Sequence, residues 1–414
     1  MTARQAMLAS LQNRKTGFSL PRSFYTDADY FNLDMDAIWY REWLFVAHEC
    51  ELQEPGSYVT VQIGAYPILL IRDKAGPIRA FHNSCRHRGS RICPAPRGKA
   101  TRLVCPYHQW TYNQDGSLMS ARHMPQDFDK SGYGLKPVAV ELLEGCIYVC
   151  LAKFPKDFAP VRELLAPYLA PYALRDLKVA HEYTIVEKGN WKLVWENNRE
   201  CYHCRVNHPE LCKVFPEKPA ATGHAGVADP ELDALWSECE DAGLPSRYKA
   251  DPSLQFRAVR TALVNGLLSY TASGRPAVNR PLSDGLVKER IGALLLYHYP
   301  STWNHFLRDH ATTFRVLPIS ADKTAVTTKW LVHKDAVEGV DYTVPELTHV
   351  WTETNDQDRH VVEENALGVS SPAYEPGPYS DAYEDGVMQF VDWYAALIEP
   401  RLAGDETAKL RNAA

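Results

Sequence analysis

The chain has no long apolar run, and with 45 Lys and Arg against 51 Asp and Glu it has no excess of positive charge. Without about 18 consecutive apolar residues, nothing in it reads as a membrane-spanning helix. Residues Met1 to Pro21 lack the apolar core of an export signal, so a cytoplasmic protein with no membrane partner is expected. The formal net charge of -6 speaks against a nucleic-acid partner, which is held by neutralising phosphates. No repeat of useful period is present. The ten cysteines fall at uneven spacing, which suits reduced thiols and metal ligands better than a disulfide framework.

What is present is an ordinary globular composition, 45% hydrophobic and 23% charged, in a chain of 414 residues, longer than one core usually serves. Residues 1–39 read as short helices packing on the C-terminal part, with a helix expected over Asp34–Trp43. From Gly56 to Leu151 short alternating runs separated by Gly and Asp turns predict an all-β unit spanning 40–153. The remainder, 154–414, mixes a helix broken by Pro167 and Pro171, a strand at Ala180–Lys188 and a polar stretch from Pro216 to Ser253 expected to lie over a site. Strands at Gly292–Tyr299, Trp303–His310, Thr312–Leu317 and Ala325–Val332 predict an antiparallel sheet. Helices are expected over Pro345–Leu367 and Val387–Ile398.

Two constellations carry chemistry. Cys85-Arg86-His87 and Cys105-Pro106-Tyr107-His108 place two thiols and two imidazoles in a pair of matching loops. That donor set suits a [2Fe–2S] cluster in which Cys85 and Cys105 hold one iron, and His87 and His108 the other. The same four side chains could bind zinc, but the one-residue gap between Cys85 and His87 is tight for zinc and the setting is β-rich.

The second constellation is Asn190 to Lys213, where His203 and His208 stand five residues apart before Pro209. A helix with a loosened last turn would aim both rings at one point. Two imidazoles plus one carboxylate, with positions left open, is the ligand set of an oxygen-activating non-haem Fe(II) site. Asp358 is the expected third ligand, because it shares a helix face with Val361 and Val362; Asp356 is held in reserve. Cys201-x-x-Cys204 lacks a second pair, so both are read as small packing residues.

The stretches CRHRGS, CPYHQWTY and NWKLVWENNRECYHC with NHPEL resemble the oxygenase component of the Rieske non-haem iron oxygenases over nearly the whole chain. The resemblance implies an α+β protein: an N-terminal all-β Rieske domain and a C-terminal catalytic domain whose antiparallel sheet and helices form a helix-grip, START-like fold. It implies a [2Fe–2S] cluster, a mononuclear Fe(II), and NAD(P)H used indirectly through a flavin and ferredoxin-type reductase. It also implies a head-to-tail homotrimer in which one subunit's cluster serves its neighbour's iron.

Most ring-hydroxylating members have Asp three residues before the first iron histidine; here it is Glu200. That departure resembles the branch acting on carnitine, glycine betaine and proline betaine. Within it ENNRECYHC, HYPSTWNHF, VHKDAVEGVDY and MQFVDWY are most similar to the proline betaine (stachydrine) demethylases; the glycine betaine monooxygenases share much of this, and carnitine oxidation and aromatic ring hydroxylation stay open as alternatives. The implied reaction is O2-dependent hydroxylation of an N-methyl group followed by loss of formaldehyde. Glu200 is expected to accept an imidazole N–H from His203 and another from His108 of a neighbouring subunit.

A quaternary ammonium donates no hydrogen bond, so aromatic faces should receive it. Tyr202, Phe215, Trp303, Phe306 and Trp330 are candidates, of which about two are expected to touch substrate. His305 or Arg308 is the expected partner of a substrate carboxylate. An electron carrier would need only the β unit, and a zinc scaffold would leave the later histidines and acid without a purpose.

Overall fold

The computed structural model describes residues 1–217 and 229–404, so part of the stretch expected over the site, residues 218–228, lies outside the described residues. The chain divides into two units. One is Tyr40–Phe158 with Leu174–Asp176; the other takes Met1–Trp39, Ala159–Ala173 and everything from Leu177 onward. The β unit thus runs past Lys153 and takes in a short later segment.

The β unit is a seven-stranded sheet in the order Leu44–His48, Cys146–Cys150, Pro137–Leu143, Ile78–His82, Tyr66–Arg72, Ser57–Ile63, Arg97–Lys99. Every neighbouring pair is antiparallel. A smaller sheet of Leu103–Val104, Thr111–Tyr112 and Leu118–Ser120 stands beside it. Leu69, Ile71, Phe81, Leu103, Trp110 and Tyr112 form one apolar cluster with Cys85 and Cys105, so the two cysteine loops are rooted in the core. The turn leaving Tyr112 needs glycine. Gly116 has φ +86, and an added Cβ would collide with the Phe81 ring.

The larger unit is built on a second seven-stranded antiparallel sheet, ordered Leu177–Glu187, Lys323–His333, Ala311–Ser320, Thr302–Phe306, Ala293–His298, Phe256–Thr261, Lys249–Ala250. The helix Val344–Val369 packs against its edge strand Leu177–Glu187. It starts where the Thr343 side chain accepts from the Glu346 N–H with Pro345 in the first turn, and it buries Leu347, Val350, Trp351, Thr354 and Val362 on one face. The helices Trp191–Asn198 and Asp385–Ala403 complete this layer.

Met1–Trp39 is tied into the larger unit by charge as well as packing. Asp34 and Lys192 form an ion pair with both side chains fully buried, and Asp34 also accepts from Trp191 Nε1 at 3.2 Å and Tyr394 OH at 2.7 Å. Such a pair is stable only while both partners are present.

The α+β architecture is the one expected, but local expectations fail in three places. The helix placed at Asp34–Trp43 instead starts at Ala28, because the Asp27 side chain caps it by accepting from Asp29 N at 2.7 Å; it then widens into a π turn over Met35–Trp39. Pro167 does not break its helix, which runs Ala159–Leu169. The single helix expected through His203 ends at Asn198. Among the described residues no helix is long and apolar enough to cross a membrane.

Candidate functional site

The two cysteine loops share one backbone pattern. Cys85 N donates to Ser90 O at 2.9 Å and Gly89 N to Cys85 O at 2.9 Å; Cys105 N donates to Trp110 O at 2.8 Å and Gln109 N to Cys105 O at 3.0 Å. In each loop the residue four beyond the cysteine takes positive φ, 79° at Gly89 and 59° at Gln109. The thiols of Cys85 and Cys105 are buried, while His87 is exposed and His108 half-buried. The two imidazoles stand 4.7 Å apart, His87 stacked on Trp110 at 4.9 Å and His108 on Tyr107 at 3.8 Å. Tyr112 OH lies 3.3 Å from Cys85 Sγ. Thiols inward and imidazoles outward is the donor arrangement a [2Fe–2S] group with mixed ligands requires.

The second donor set comes from a broken helix and a distant one. After Asn198 the chain turns; Glu200 Oε2 accepts from the backbone N–H of Tyr202 and, at 3.3 Å, of His203, which starts a short second helix, Cys204–Asn207. His203 and His208 flank that helix. Their Nε2 atoms are 3.0 Å apart, and Asp358 Oδ1 lies 3.3 Å from one and 3.0 Å from the other. Three donors set at right angles around a metal about 2.1 Å away would stand about 3 Å from one another, so the triangle fits one ion with other positions open.

Each imidazole is held from behind. His203 Nδ1 pairs with Glu200 Oε1, and His208 Nδ1 with Gln357 Oε1 at 2.9 Å, Gln357 in turn donating to Glu210 Oε2 at 2.8 Å. Asn197 Nδ2 is 3.4 Å from His203 Nε2. Burial by itself would lower His203, but hydrogen bonds to Asp358 and Glu200 lift it to about 10. Burial would raise Asp358, and hydrogen bonds from His203 and His208 pull it down to about 2. Carboxylates thus hold positive charge at this point, the condition a divalent cation needs.

Asp356 lies outside the triangle, paired with Arg359 at 3.1 Å and Tyr183 OH at 3.4 Å. Cys204 Sγ falls among the histidine donors but is spent in a disulfide with Cys201. That corrects the reading of both as reduced packing residues. The turn that replaces the continuous helix sets their Cα atoms 4.9 Å apart, within disulfide range, while the other eight cysteines form no disulfide.

Of the candidate substrate contacts, the structure gathers Phe215 and His305, brings Trp303 to the same cluster through Phe314, and places the others elsewhere. Phe215, Tyr270, His305, Phe314 and Trp351 form a contiguous aromatic cluster, with His305 4.7 Å from Trp351 and Trp351 4.9 Å from Phe314. Trp351 precedes Asp358 by two turns of its helix, about 10 Å, and Phe215 follows His208 closely in the chain. His305 Nδ1 and Tyr270 OH share a hydrogen bond of 3.0 Å, and burial pushes His305 down to about 3, so it is neutral.

Tyr202 instead is 59% exposed and stacks on Tyr383 at 5.2 Å, because the turn after Asn198 rotates it outward. Trp303 packs between Trp195 and Phe314, Phe306 against Tyr172, and Trp330 against His181. Arg308 donates to Leu286 O at 3.0 Å. Sequence reasoning missed Tyr270, Trp351 and Gln357. The seven-residue spacing from Trp351 to Asp358 could have found the second of these; Tyr270 sits in an irregular stretch with no period to read.

The folds and the two donor sets define the class of two-centre Rieske non-haem iron oxygenases. Residues 42–147 match the family model "Rieske [2Fe-2S] domain" and residues 174–400 match "Ring hydroxylating alpha subunit (catalytic domain)", so the chain belongs to the ring-hydroxylating alpha-subunit family. It is an oxidoreductase whose cofactors are a [2Fe–2S] cluster and a non-haem iron. Among its relatives, the glycine betaine monooxygenase oxygenase subunit of Pseudomonas aeruginosa is 46% identical over 414 residues, covering 100% of this chain and 96% of that protein. The corresponding subunit of Chromohalobacter salexigens is 47% identical over 406 residues, covering 97% and 90%. The solved structure of the quaternary ammonium Rieske monooxygenase CntA with L-carnitine shares the fold at TM-score 0.71 and 22% identity, covering 94% of this chain and 98% of that one.

Proposed function

We propose that the protein removes an N-methyl group from a small betaine, with proline betaine as the specific substrate. The observation supporting the betaine reading is the aromatic cluster of Phe215, Tyr270, His305 and Trp351, one neutral imidazole included, whose Trp351 stands about two helical turns before Asp358. A neutral aromatic enclosure attracts a permanent cation and offers no competing charge. Thr312 Oγ1 and Trp351 Nε1, buried without partners, are donors suited to the carboxylate end. Glycine betaine is the second reading, favoured by the names of the relatives at 46% and 47% identity. Proline betaine rests on the four sequence stretches alone.

In this reading Cys85, Cys105, His87 and His108 hold the cluster, and His203, His208 and Asp358 hold the iron, which supplies O2 activation when bound. Overall, one N-methyl group, one O2, two electrons and two protons give one N-hydroxymethyl group and one water. The hydroxymethyl product then releases formaldehyde and a proton to leave the tertiary amine. Electrons come from a separate flavin and ferredoxin-type reductase. Glu200 holds the His203 tautomer and, in a homotrimer, meets His108 of a neighbouring subunit. The setting is the cytoplasm. The chain's own groups orient substrate and exclude water; the oxidation belongs to the metal.

The test is formaldehyde release from proline betaine, glycine betaine and carnitine side by side, with a surrogate reductase. Proline betaine should give the highest kcat/KM. Preference for glycine betaine would replace the specific substrate, and no formaldehyde from any of them, with both centres loaded, would sink the proposal.

A further inference from the structure

Beside the iron set lies a cavity of about 210 Å³ whose wall includes Glu196, Asn197, Glu200, His203, Tyr379 and Glu384. It contains an acid that the scheme above does not use. Tyr25 OH donates to Glu196 Oε1 at 2.8 Å and Tyr379 OH to Glu196 Oε2 at 3.2 Å. Glu196 precedes Glu200 by four residues, and three carboxyl groups, of Glu196, Glu200 and Glu384, share one small space. Of these, Glu384 is the acid whose charge acts on Glu196, and that repulsion together with burial favours a proton on the Glu196 carboxyl. Its volume, and the polar wall residues Glu196, Asn197, Glu200, Tyr379 and Glu384 alongside the apolar Leu193 and Val362, suit several waters. Asn197 Nδ2 lies 3.4 Å from His203 Nε2 in its wall, and Ser19, Tyr374, Glu384 and Glu196 itself are all half-buried.

We infer that Glu196 is the proton store of the site: its carboxyl gives up a proton through the cavity toward the Asn197 and His203 edge, and takes one back from solvent past Tyr379 and Glu384. The reaction stoichiometry requires this kind of device, because each O2 reduced consumes two protons along with two electrons. The proton leaves the Glu196 oxygen, ends in the water formed, and is replaced from bulk, so no further reactant is needed. The inference rests on the O2-reducing chemistry proposed above and not on which betaine is used.

The groups facing Glu196 are Lys192 on its own helix, Tyr25 from the N-terminal segment, Tyr374, Tyr379 and Glu384 from the chain before the last helix, and Glu200 with His203. Burial raises Glu196 to about 7; the hydrogen bonds from Tyr25 and Tyr379 and the charge of Lys192 oppose it, and Glu384 adds to it. The store is therefore loaded below neutrality and empties as pH rises.

Glu196→Gln keeps an acceptor for one tyrosine and offers an N–H to the other hydroxyl, but carries no exchangeable acid. The infrared absorption of a protonated carboxyl should be present in the wild type, titrate near pH 7, and be missing in this variant. With both iron centres loaded, single-turnover product formation should fall about 100-fold or more, the range usual for a lost proton-transfer group. The wild type's decline on the alkaline side of neutrality should be absent in the variant, and Glu196→Asp should restore part of the rate. A Glu196→Gln protein with wild-type rate and the same alkaline decline would overturn the inference, as would a carboxyl absorption that ignores pH. If that variant loses iron, Tyr379→Phe decides: losing a hydrogen bond to the ionised form should move the decline to higher pH, and an unmoved decline counts against it. Absence of formaldehyde in the wild type would defeat the substrate reading, while the infrared titration still decides this one.

Discussion

The two donor sets were built in different ways. The cysteine loops are local: each is a six-residue turn with its own pair of backbone hydrogen bonds and a positive-φ residue at the same place, rooted in the β unit's core. The three-donor set is assembled across the chain, with Asp358 155 residues beyond His203, and it exists only because the Val344–Val369 helix lies against the broken helix that carries the histidines. A local site survives disturbance elsewhere, whereas an assembled one reports on the packing of everything that positions it.

The largest break in that comparison should come from removing one donor from each set. His203→Ala is expected to lose the mononuclear iron and about 10³-fold or more of the demethylation rate while leaving the cluster's absorption and EPR signal intact. Cys105→Ala should do the converse, bleaching the cluster and retaining the other iron. Iron and sulfide counts with EPR on both variants check this; loss of both signals in either variant would mean that the two sets are not separable. These are the sizes expected when an essential ligand goes.

A smaller effect should follow from the groups behind the ligands. Gln357→Leu removes the partner of His208 Nδ1 and should weaken iron binding about 10- to 100-fold without touching the cluster. Because His203 is lifted to about 10 in the metal-free protein, it carries a proton at neutrality that iron must displace. Iron affinity should therefore rise with pH between about 6 and 8, by about tenfold per unit for each proton released, and calorimetry in buffers of different ionisation enthalpy should count that proton. Flat affinity across this range would show that the site binds no competing proton. The smallest effect should be that of the Cys201→Ala, Cys204→Ala double variant, whose iron content should equal the wild type's, since neither sulfur is free to bind.

How far the sequence could be read follows the same division. The cluster residues announce themselves through spacing alone, and so does the α+β plan, because alternating runs and capped amphipathic helices are local signals. Asp358 was preferred to Asp356 on the helix face alone, and its Oδ1 lies within 3.3 Å of both imidazoles. The direction of Tyr202 was not, because it depends on where the helix stops, and that is decided by the Glu200 side chain accepting the next turn's N–H groups. The aromatic cluster was half legible: Phe215 and His305 stood in readable strands or near the histidines, while Tyr270 joins them only through the tertiary fold. Nor did spacing distinguish the Cys201–Cys204 disulfide from two inert thiols.

The Asp34–Lys192 pair imposes an order on maturation. The acid comes from the first segment of the chain and the base from the helix that leads into the metal-binding turn, 158 residues later. Until the amino-terminal arm has docked, that helix carries an ammonium without its Asp34 partner. A protein trimmed beyond Asp34 would thus be recognised less by a lowered melting point than by emerging from the cell with its cluster installed and its second metal missing.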